Sequence, residues 1–194
     1  MKLLHIDAGI TGQGSVSRQL SSAIVETLVR DNPGLEVARR DLDSDPIPHL
    51  DSRNLGSAAG EAVLQEFIDA DVIVLGAPMY NLGIPSQLKA WFDRVSVAGR
   101  TFRYTAQGPQ GLAGGKTVII ASARGGLYAP GSPQAAADFH EPYLKALFAF
   151  VGIHDVAIVR AEGVNVSPEL RQQALEAALV QARSVSGRAH ALAA

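Results

Sequence analysis

The chain of 194 residues contains no cysteine, which excludes disulfides, thiolate-bound metals and a cysteine nucleophile. It also lacks any apolar run near the ~20 residues that a membrane-spanning helix needs. The apolar stretch at the N-terminus ends at Asp7, too early for the hydrophobic segment of a signal peptide. We therefore expect a soluble protein of the cytoplasm without a membrane partner.

The chain also lacks a large excess of either charge sign, since its formal net charge is only -2. Such a balance gives no reason to expect a nucleic acid as partner. Hydrophobic residues make up 47% and charged residues 19%, a composition typical of a folded protein. No repeat, low-complexity tract or linker interrupts the chain, so we predict one domain over residues 1–194.

Metal-ligand and nucleophile motifs are absent as well. None of the five histidines has a second histidine or a carboxylate at ligand spacing, and no Gly-x-Ser-x-Gly elbow follows a predicted strand. Residues 41–45 are acidic but lack the glycine and terminal glutamate of a calcium loop. We predict no metal site, and we interpret His5 as a hydrogen-bonded histidine within a core strand.

What the sequence does contain is a regular alternation of short apolar strands and amphipathic helices. The predicted strands cover residues 2–7, 35–39, 72–77, 117–121 and 156–159. The predicted helices cover residues 15–30, 57–70, 86–97 and 139–151, and a fifth begins at Ser167-Pro168. This pattern predicts an α/β fold with a five-stranded parallel sheet, order 2-1-3-4-5, and helices on both faces. Residues 99–115 are predicted to form a long functional loop.

The loop after the first strand is rich in glycine and hydroxyl groups over residues 9–18. A nucleotide-binding P-loop needs lysine where this chain has Ser15, and a dinucleotide fingerprint needs glycine at Ser17. Two interpretations stay open. The loop is a phosphate cradle at a helix N-terminus, as flavin mononucleotide (FMN) would use, or an ordinary loop with a serine cap.

Two further loops follow neighbouring strands and meet the first at the carboxyl edge of the sheet. Residues 79–82, Met-Tyr-Asn-Leu, offer an apolar wall and polar groups to a planar heterocycle, or simply pack as a tight loop. In residues 123–126, tandem glycines allow a ligand to approach the backbone. Arg124 then faces an anion or a ring edge, or else is solvated in a flexible turn.

With these residues in view, the chain resembles the flavodoxin-like family of FMN-dependent NADH-azoreductases and quinone reductases. The resemblance covers nearly the whole chain. Its densest segments are Ala77-Pro78-Met79-Tyr80-Asn81, Ser86-Gln87-Leu88-Lys89, Thr101-Phe102-Arg103-Tyr104-Thr105, Gly108-Pro109-Gln110-Gly111-Leu112, Arg124-Gly125-Gly126 and Ala161-Glu162-Gly163.

The resemblance implies a homodimer with one tightly bound FMN per subunit at the interface. Carried over by position, it assigns cofactor binding to Gly9, Ser15, Val16, Ser17, Met79, Tyr80, Asn81, Leu82, Ala123, Arg124, Gly125 and Gly126. It assigns Tyr104 and Phe150 to the substrate side. The chain departs from the family pattern in three places. Gly9 replaces a usual serine, Ala123 replaces a small hydroxyl residue, and residues 51–60 form a shorter stretch.

The activity implied is a ping-pong transfer of a hydride from NADH, or NADPH, through FMN to a quinone or azo compound. Tyr80, Asn81 and the Gly125-Gly126 backbone would tune the flavin by hydrogen bonding. Two other classes stay open. One is a flavodoxin-type electron carrier without substrate turnover, although flavodoxins are usually strongly acidic. The other is a phosphoesterase or hydrolase without flavin, which would use the Ser15/Ser17 loop differently.

Overall fold

A computed structural model describes residues 1–185. Its strands are β1 (Lys2–Asp7), β2 (Glu36–Asp41), β3 (Val72–Pro78), β4 (Phe102–Thr105), β5 (Gly108–Gly111), β6 (Thr117–Arg124) and β7 (Val156–Glu162). Five of them form one parallel sheet in the order β2-β1-β3-β6-β7. The predicted fold class and sheet order are confirmed, because these five strands are the five predicted from the sequence.

The α-helices are α1 (Val16–Asp31), α2 (Ala58–Asp69), α3 (Ser86–Val95), α4 (Glu141–Phe150) and α5 (Pro168–Ser184). Serine residues cap three of them. The side-chain oxygens of Ser15, Ser57 and Ser167 accept hydrogen bonds from backbone N–H groups three residues later. The predicted start of the last helix at Ser167-Pro168 is thus confirmed, with proline in the first turn.

The core lies on both faces of the sheet, as predicted. One cluster packs aromatic residues of α2, α3 and α4 edge to face; they are Phe67, Trp91, Phe92 and Phe148. The other cluster packs α1 and α5 against the opposite face, through residues such as Leu20, Ile24 and Ala178. Every residue of β3 is buried, because this strand is central and covered on both sides.

The structure corrects the prediction of a loop over residues 99–115. Part of this segment is an antiparallel hairpin of β4 and β5. Its second strand, β5, contains two glycines and a proline, residues that are typical of loops. The hairpin lies close to the turn after α4, because a Cβ on Gly111 would sit 2.1 Å from the backbone nitrogen of Gly152. Only a glycine permits this approach.

Strands β6 and β7 each extend three residues beyond the predicted ends. The predictions stopped at Ala121 and Val159, where the apolar runs end. The extra residues pair in register, with Arg124 opposite Glu162. The sheet therefore carries buried charge at its carboxyl edge, next to the loops that were predicted to form a site. None of the helices within residues 1–185 has the length and apolar character required to span a membrane.

Candidate functional site

The three predicted loops come together at the carboxyl edge of the sheet and line a cleft of about 220 Å³. Residues predicted from the sequence that line this cleft are Ser15, Val16, Ser17, Met79, Tyr80, Ala123 and Gly125. Further lining residues are Thr11, Gly14, Pro78, Val164, Asn165 and Arg171. The cleft thus combines hydroxyl groups, apolar side chains and one cation.

One end of the cleft is the N-terminus of α1. Ser15 and Ser17 are both buried, and their Oγ atoms lie 3.1 Å apart. The Ser15 Oγ also accepts a hydrogen bond from the backbone N–H of Arg18 at 3.4 Å. Because the first N–H groups of a helix lack intrahelical partners, this end attracts negative charge. The arrangement suits a phosphate group.

Gly9 does not line the cleft but makes room for Ser15. A Cβ at position 9 would lie 2.4 Å from the Ser15 Oγ and 3.2 Å from the Ser17 Oγ. The hydroxyl of Ser15 therefore fills the space that a side chain at position 9 would take. A serine at this position would require Ser15 to rotate away from its capping position.

The loop after β3 is a tight turn. Tyr80 and Gly83 exchange two backbone hydrogen bonds of 3.0 and 3.1 Å around Asn81 and Leu82. Asn81 has φ 49° and Leu82 has φ 72°, a left-handed conformation that is strained for leucine. Both lie at the exposed tip of the turn rather than among the cleft residues.

Hydrogen bonds fix this turn to the other two loops. The Tyr80 hydroxyl accepts from the backbone N–H of Ile10 at 3.1 Å. The backbone N–H of Met79 donates to the Ala123 carbonyl at 2.8 Å. The three loops are therefore held at a fixed spacing around the cleft.

The adjacent glycines Gly125 and Gly126 lie in different environments. A Cβ on Gly125 would lie 2.8 Å from the Asn165 Nδ2, so the missing side chain lets Asn165 reach the cleft. A Cβ on Gly126 would instead meet the Gln134 side chain at 2.8 Å. Gly126 is packed outside the set of cleft-lining residues.

Both sequence interpretations of the Arg124 side chain are wrong. It is fully buried, with ion pairs of 2.7 Å to Asp138, 2.8 Å to Glu162 and 3.7 Å to Glu141. It neither faces the cleft nor lies in solvent. The reason is the longer β6, which places Arg124 inside the sheet.

The carboxylates around Arg124 belong to a wider buried network. Glu141 also accepts from the Ser122 hydroxyl at 2.8 Å and is paired with Arg160. Burial alone would raise the pKa of Glu141, but its bonds to Arg160 and the charge of Arg124 hold it below the ordinary value. The neighbouring His140 is buried, and burial lowers its pKa to about 4. His140 is therefore neutral at neutral pH.

Sequence reasoning missed a fourth loop of the site, which follows β7. It contributes Val164 and Asn165, and Arg171 reaches the cleft from the first turns of α5. The Arg171 Nη2 donates to the Gly14 carbonyl at 2.7 Å. The predicted sheet order contained a signal for this loop. All strands of a parallel sheet end at the same edge, so the loop after the fifth strand reaches the edge at which the other loops lie.

Tyr104 and Phe150, predicted on the substrate side, do not line this cleft. The Phe102 ring connects them, with its centroid 5.4 Å from Tyr104 and 4.4 Å from Phe150. Phe102 is buried, whereas Tyr104 is 76% exposed.

A larger groove of about 550 Å³ is lined by Gly12 and Gln13 of the first loop and by Arg18 and Arg39. Both arginines are already engaged, Arg18 with Asp41 at 2.5 Å and Arg39 with Asp7 at 3.2 Å. The hydrogen bond from Arg18 holds the pKa of Asp41 far below its usual range. The arginines of this groove are therefore less available to bind an anion than the cation of the cleft.

His5 matches its prediction, because it is buried and its Nε2 lies 2.9 Å from the Ser21 Oγ. Within residues 1–185, no group of three or more His, Asp or Glu side chains is arranged to hold a metal ion.

A family model described as having a flavodoxin-like fold matches residues 1–185. The chain belongs to this flavodoxin-like family. It is 58% identical over 185 residues to FMN-dependent NADH:quinone oxidoreductase 1 of Xanthomonas axonopodis pv. citri, covering 92% of this chain and 94% of that protein.

Other similar proteins of this flavodoxin-like group carry related names. FMN-dependent NADH:quinone oxidoreductase of Stenotrophomonas maltophilia is 55% identical, covering 92% of this chain and 93% of the relative. Among solved structures, an FMN-dependent NADH-azoreductase from Bacillus anthracis in complex with FMN is 28% identical, with a TM-score of 0.88. That comparison covers 96% of this chain and 98% of the azoreductase.

Proposed function

We propose that this protein is an FMN-dependent oxidoreductase that uses NADH to reduce quinones and azo compounds, and that the cleft holds the FMN. The observation that supports the site is the meeting of three loops at one sheet edge, with helix α1 (Val16–Asp31) pointing its N-terminus into the cleft. The activity follows from identities near 58% with FMN-dependent NADH:quinone oxidoreductases.

The residues of the cleft fit the chemical parts of FMN. The buried hydroxyls of Ser15 and Ser17 and the helix N-terminus suit a phosphate. Met79 and Val164 give apolar surface to a flat ring, and Asn165 brings an amide past the bare Cα of Gly125. We assign Gly9 a supporting role, since it gives Ser15 the space to occupy this position.

Held by the residues of the cleft, FMN would supply the hydride-transfer chemistry that links NADH to the quinone or azo compound. The contribution of the protein is alignment. The Met79–Ala123 hydrogen bond and the Tyr80–Ile10 hydrogen bond keep the loops in register before any ligand enters. Asn81 and Leu82 at the tip of the turn, together with the Gly125-Gly126 backbone, are proposed to contact the ring, while the Arg124 side chain holds this strand end in place.

We further propose a homodimer, a ping-pong cycle and substrate contacts from Tyr104 and Phe150. The exposed side chains of Tyr104 and Phe139 support a subunit contact, because large exposed aromatic groups favour interfaces. NADPH is a second possible donor. A cytoplasmic location fits the lack of cysteine.

The test begins with purified protein that is saturated with FMN and freed of excess. We expect a retained yellow flavin that NADH bleaches under anaerobic conditions, and whose colour returns on adding an oxidised quinone. A flavin that stays yellow with NADH and NADPH would instead indicate an electron carrier. Failure to retain any flavin would contradict the proposed site.

Two serine variants test the location of the flavin. Ser17→Ala removes a buried hydroxyl of the cleft, and Ser22→Ala removes one from the larger polar groove. We expect only the first to weaken FMN binding, by ~5-fold, the scale of one neutral hydrogen bond. The opposite pattern would mean that the flavin occupies the groove. Circular dichroism confirms that both variants fold.

A further inference from the structure

Resting on the proposed function, we propose that Arg171 recognises the phosphate of the flavin and makes the cleft select FMN over riboflavin. Riboflavin carries the same ring and ribityl chain without the phosphate. Arg171 would thus determine the specificity of the site for the phosphorylated cofactor.

The position of Arg171 places its guanidinium against the first loop. It lies near the start of α5 (Pro168–Ser184), on a helix that packs beside α1. Its Nη2 donates to the carbonyl of Gly14 at 2.7 Å, and Gly14 immediately precedes the serine that caps α1. The guanidinium therefore sits beside the helix N-terminus that suits a phosphate.

Arg171 is the one charged side chain among the residues that line the cleft. Its guanidinium donates a hydrogen bond to the neutral Gly14 carbonyl, and no carboxylate within residues 1–185 forms an ion pair with it. By contrast, Arg18 is held by Asp41 in a pair of hydrogen bonds of 2.7 and 2.5 Å. Among the arginines within residues 1–185 that line the cleft or the neighbouring groove, Arg171 is thus the one without a carboxylate partner.

Guanidinium chemistry matches the phosphate. The group has five N–H donors in a planar fork, and one bond to Gly14 leaves others for phosphate oxygens. A phosphate monoester carries about two negative charges at neutral pH. The serine hydroxyls and the α1 N-terminus provide neutral donors and a partial charge, so Arg171 adds the full charge that they lack.

A purely structural role for Arg171 makes a different prediction. If the side chain only fastens α5 to Gly14, its loss would loosen the loop and weaken FMN and riboflavin binding alike. If it contacts the phosphate, its loss would weaken FMN binding alone. Comparing two flavins therefore separates the two roles without measuring turnover.

The experiment titrates protein stripped of flavin with FMN and with riboflavin, following flavin fluorescence. Arg171→Gln keeps a donor for Gly14 but removes the charge. Arg183→Gln changes an exposed arginine in the last turn of the same helix and serves as the matched control. For Arg171→Gln we expect FMN affinity to fall at least ~10-fold, the scale of one charge-assisted hydrogen bond.

Riboflavin affinity should stay within ~2-fold in both variants, and Arg183→Gln should bind FMN as the wild type does. Raising the salt concentration should weaken FMN binding less in Arg171→Gln than in the wild type. Arg171→Lys should recover part of the loss, because it restores the charge without the fork.

Equal losses for both flavins, or an unchanged FMN affinity in Arg171→Gln, would overturn the inference while leaving the proposed function intact. A wild-type protein that binds neither flavin would overturn the proposed function, and this inference with it. Circular dichroism of each variant excludes misfolding as the cause of a lost affinity.

Discussion

Arg124 and Arg171 lie at the same edge of the sheet but have different partners and different roles. Arg124 is fully buried and surrounded by Asp138, Glu141 and Glu162. Arg171 lines the open cleft, and its hydrogen bond goes to the neutral Gly14 carbonyl. The charge of Arg124 at the strand end is balanced by carboxylates of the same chain, whereas the charge of Arg171 in the cleft is available to a ligand. An arginine after a strand is thus not in itself a ligand-binding arginine.

The largest effect should come from removing the buried arginine. Arg124→Met removes the cation that pairs with Asp138 and Glu162 and lies 3.7 Å from the buried Glu141, so we expect a loss of ~3–5 kcal/mol in the free energy of unfolding. Arg171→Gln should cost less than ~1 kcal/mol, because glutamine keeps a donor for the Gly14 carbonyl and no ion pair within residues 1–185 is lost. Urea unfolding of the two variants measures the contrast. Similar losses in both would break the comparison.

A smaller effect concerns His140, beside the Arg124 network. Burial lowers its pKa to about 4, below the ordinary value of 6.5, so the unfolded chain binds its proton more readily. The stabilisation from a neutral His140 is complete above pH 6.5 and is lost as the pH falls towards 4. We expect this group to account for a loss of ~2 kcal/mol in the free energy of unfolding between pH 7 and pH 5.

Two histidine variants isolate that contribution. His140→Gln should flatten the fall in stability between pH 7 and pH 5, whatever its effect on stability at pH 7. His154→Gln replaces an exposed histidine and should keep the slope of the wild type. A slope that is unchanged in His140→Gln would show that His140 is not held neutral by burial.

The smallest effect should come from the turn at the edge of the cleft. Leu82 has φ 72°, where leucine is strained, and glycine after asparagine is the preferred pair for such a turn. We expect Leu82→Gly to raise the free energy of unfolding by ~0.5–1 kcal/mol. Leu50→Gly, at another exposed leucine, should not stabilise the protein. Equal effects would mean that the turn stores no strain.

The sequence was sufficient for the fold, because the sheet strands are short apolar runs, the helices have apolar faces, and three of the five helices begin at a serine cap. It was insufficient for the hairpin β4–β5, because strand β5 holds glycine and proline at positions that usually indicate a loop. It also ended β6 too early, because Ser122 and Arg124 are polar but are satisfied by partners distant in sequence. Such partners cannot be inferred from local patterns.

The same limit applies to the candidate site. Loop positions after strands placed Ser15, Met79 and Gly125 at the cleft. The position of a residue in a loop does not show whether its backbone or its side chain faces the cleft. For this reason the sequence did not predict that the Arg124 side chain is buried. Arg171 belongs to a helix that reaches the first loop across 157 positions of sequence. Only the folded chain brings these groups together.

The most direct test of this account is a crystal structure of the protein with FMN. We expect the phosphate at the N-terminus of α1, within hydrogen-bonding distance of Ser15, Ser17 and the Arg171 guanidinium, and the ring against Met79 and Gly125. Arg124 should remain paired with its carboxylates. A flavin bound in the groove beside Arg18 and Arg39, or a phosphate that leaves Arg171 without contact, would contradict the account.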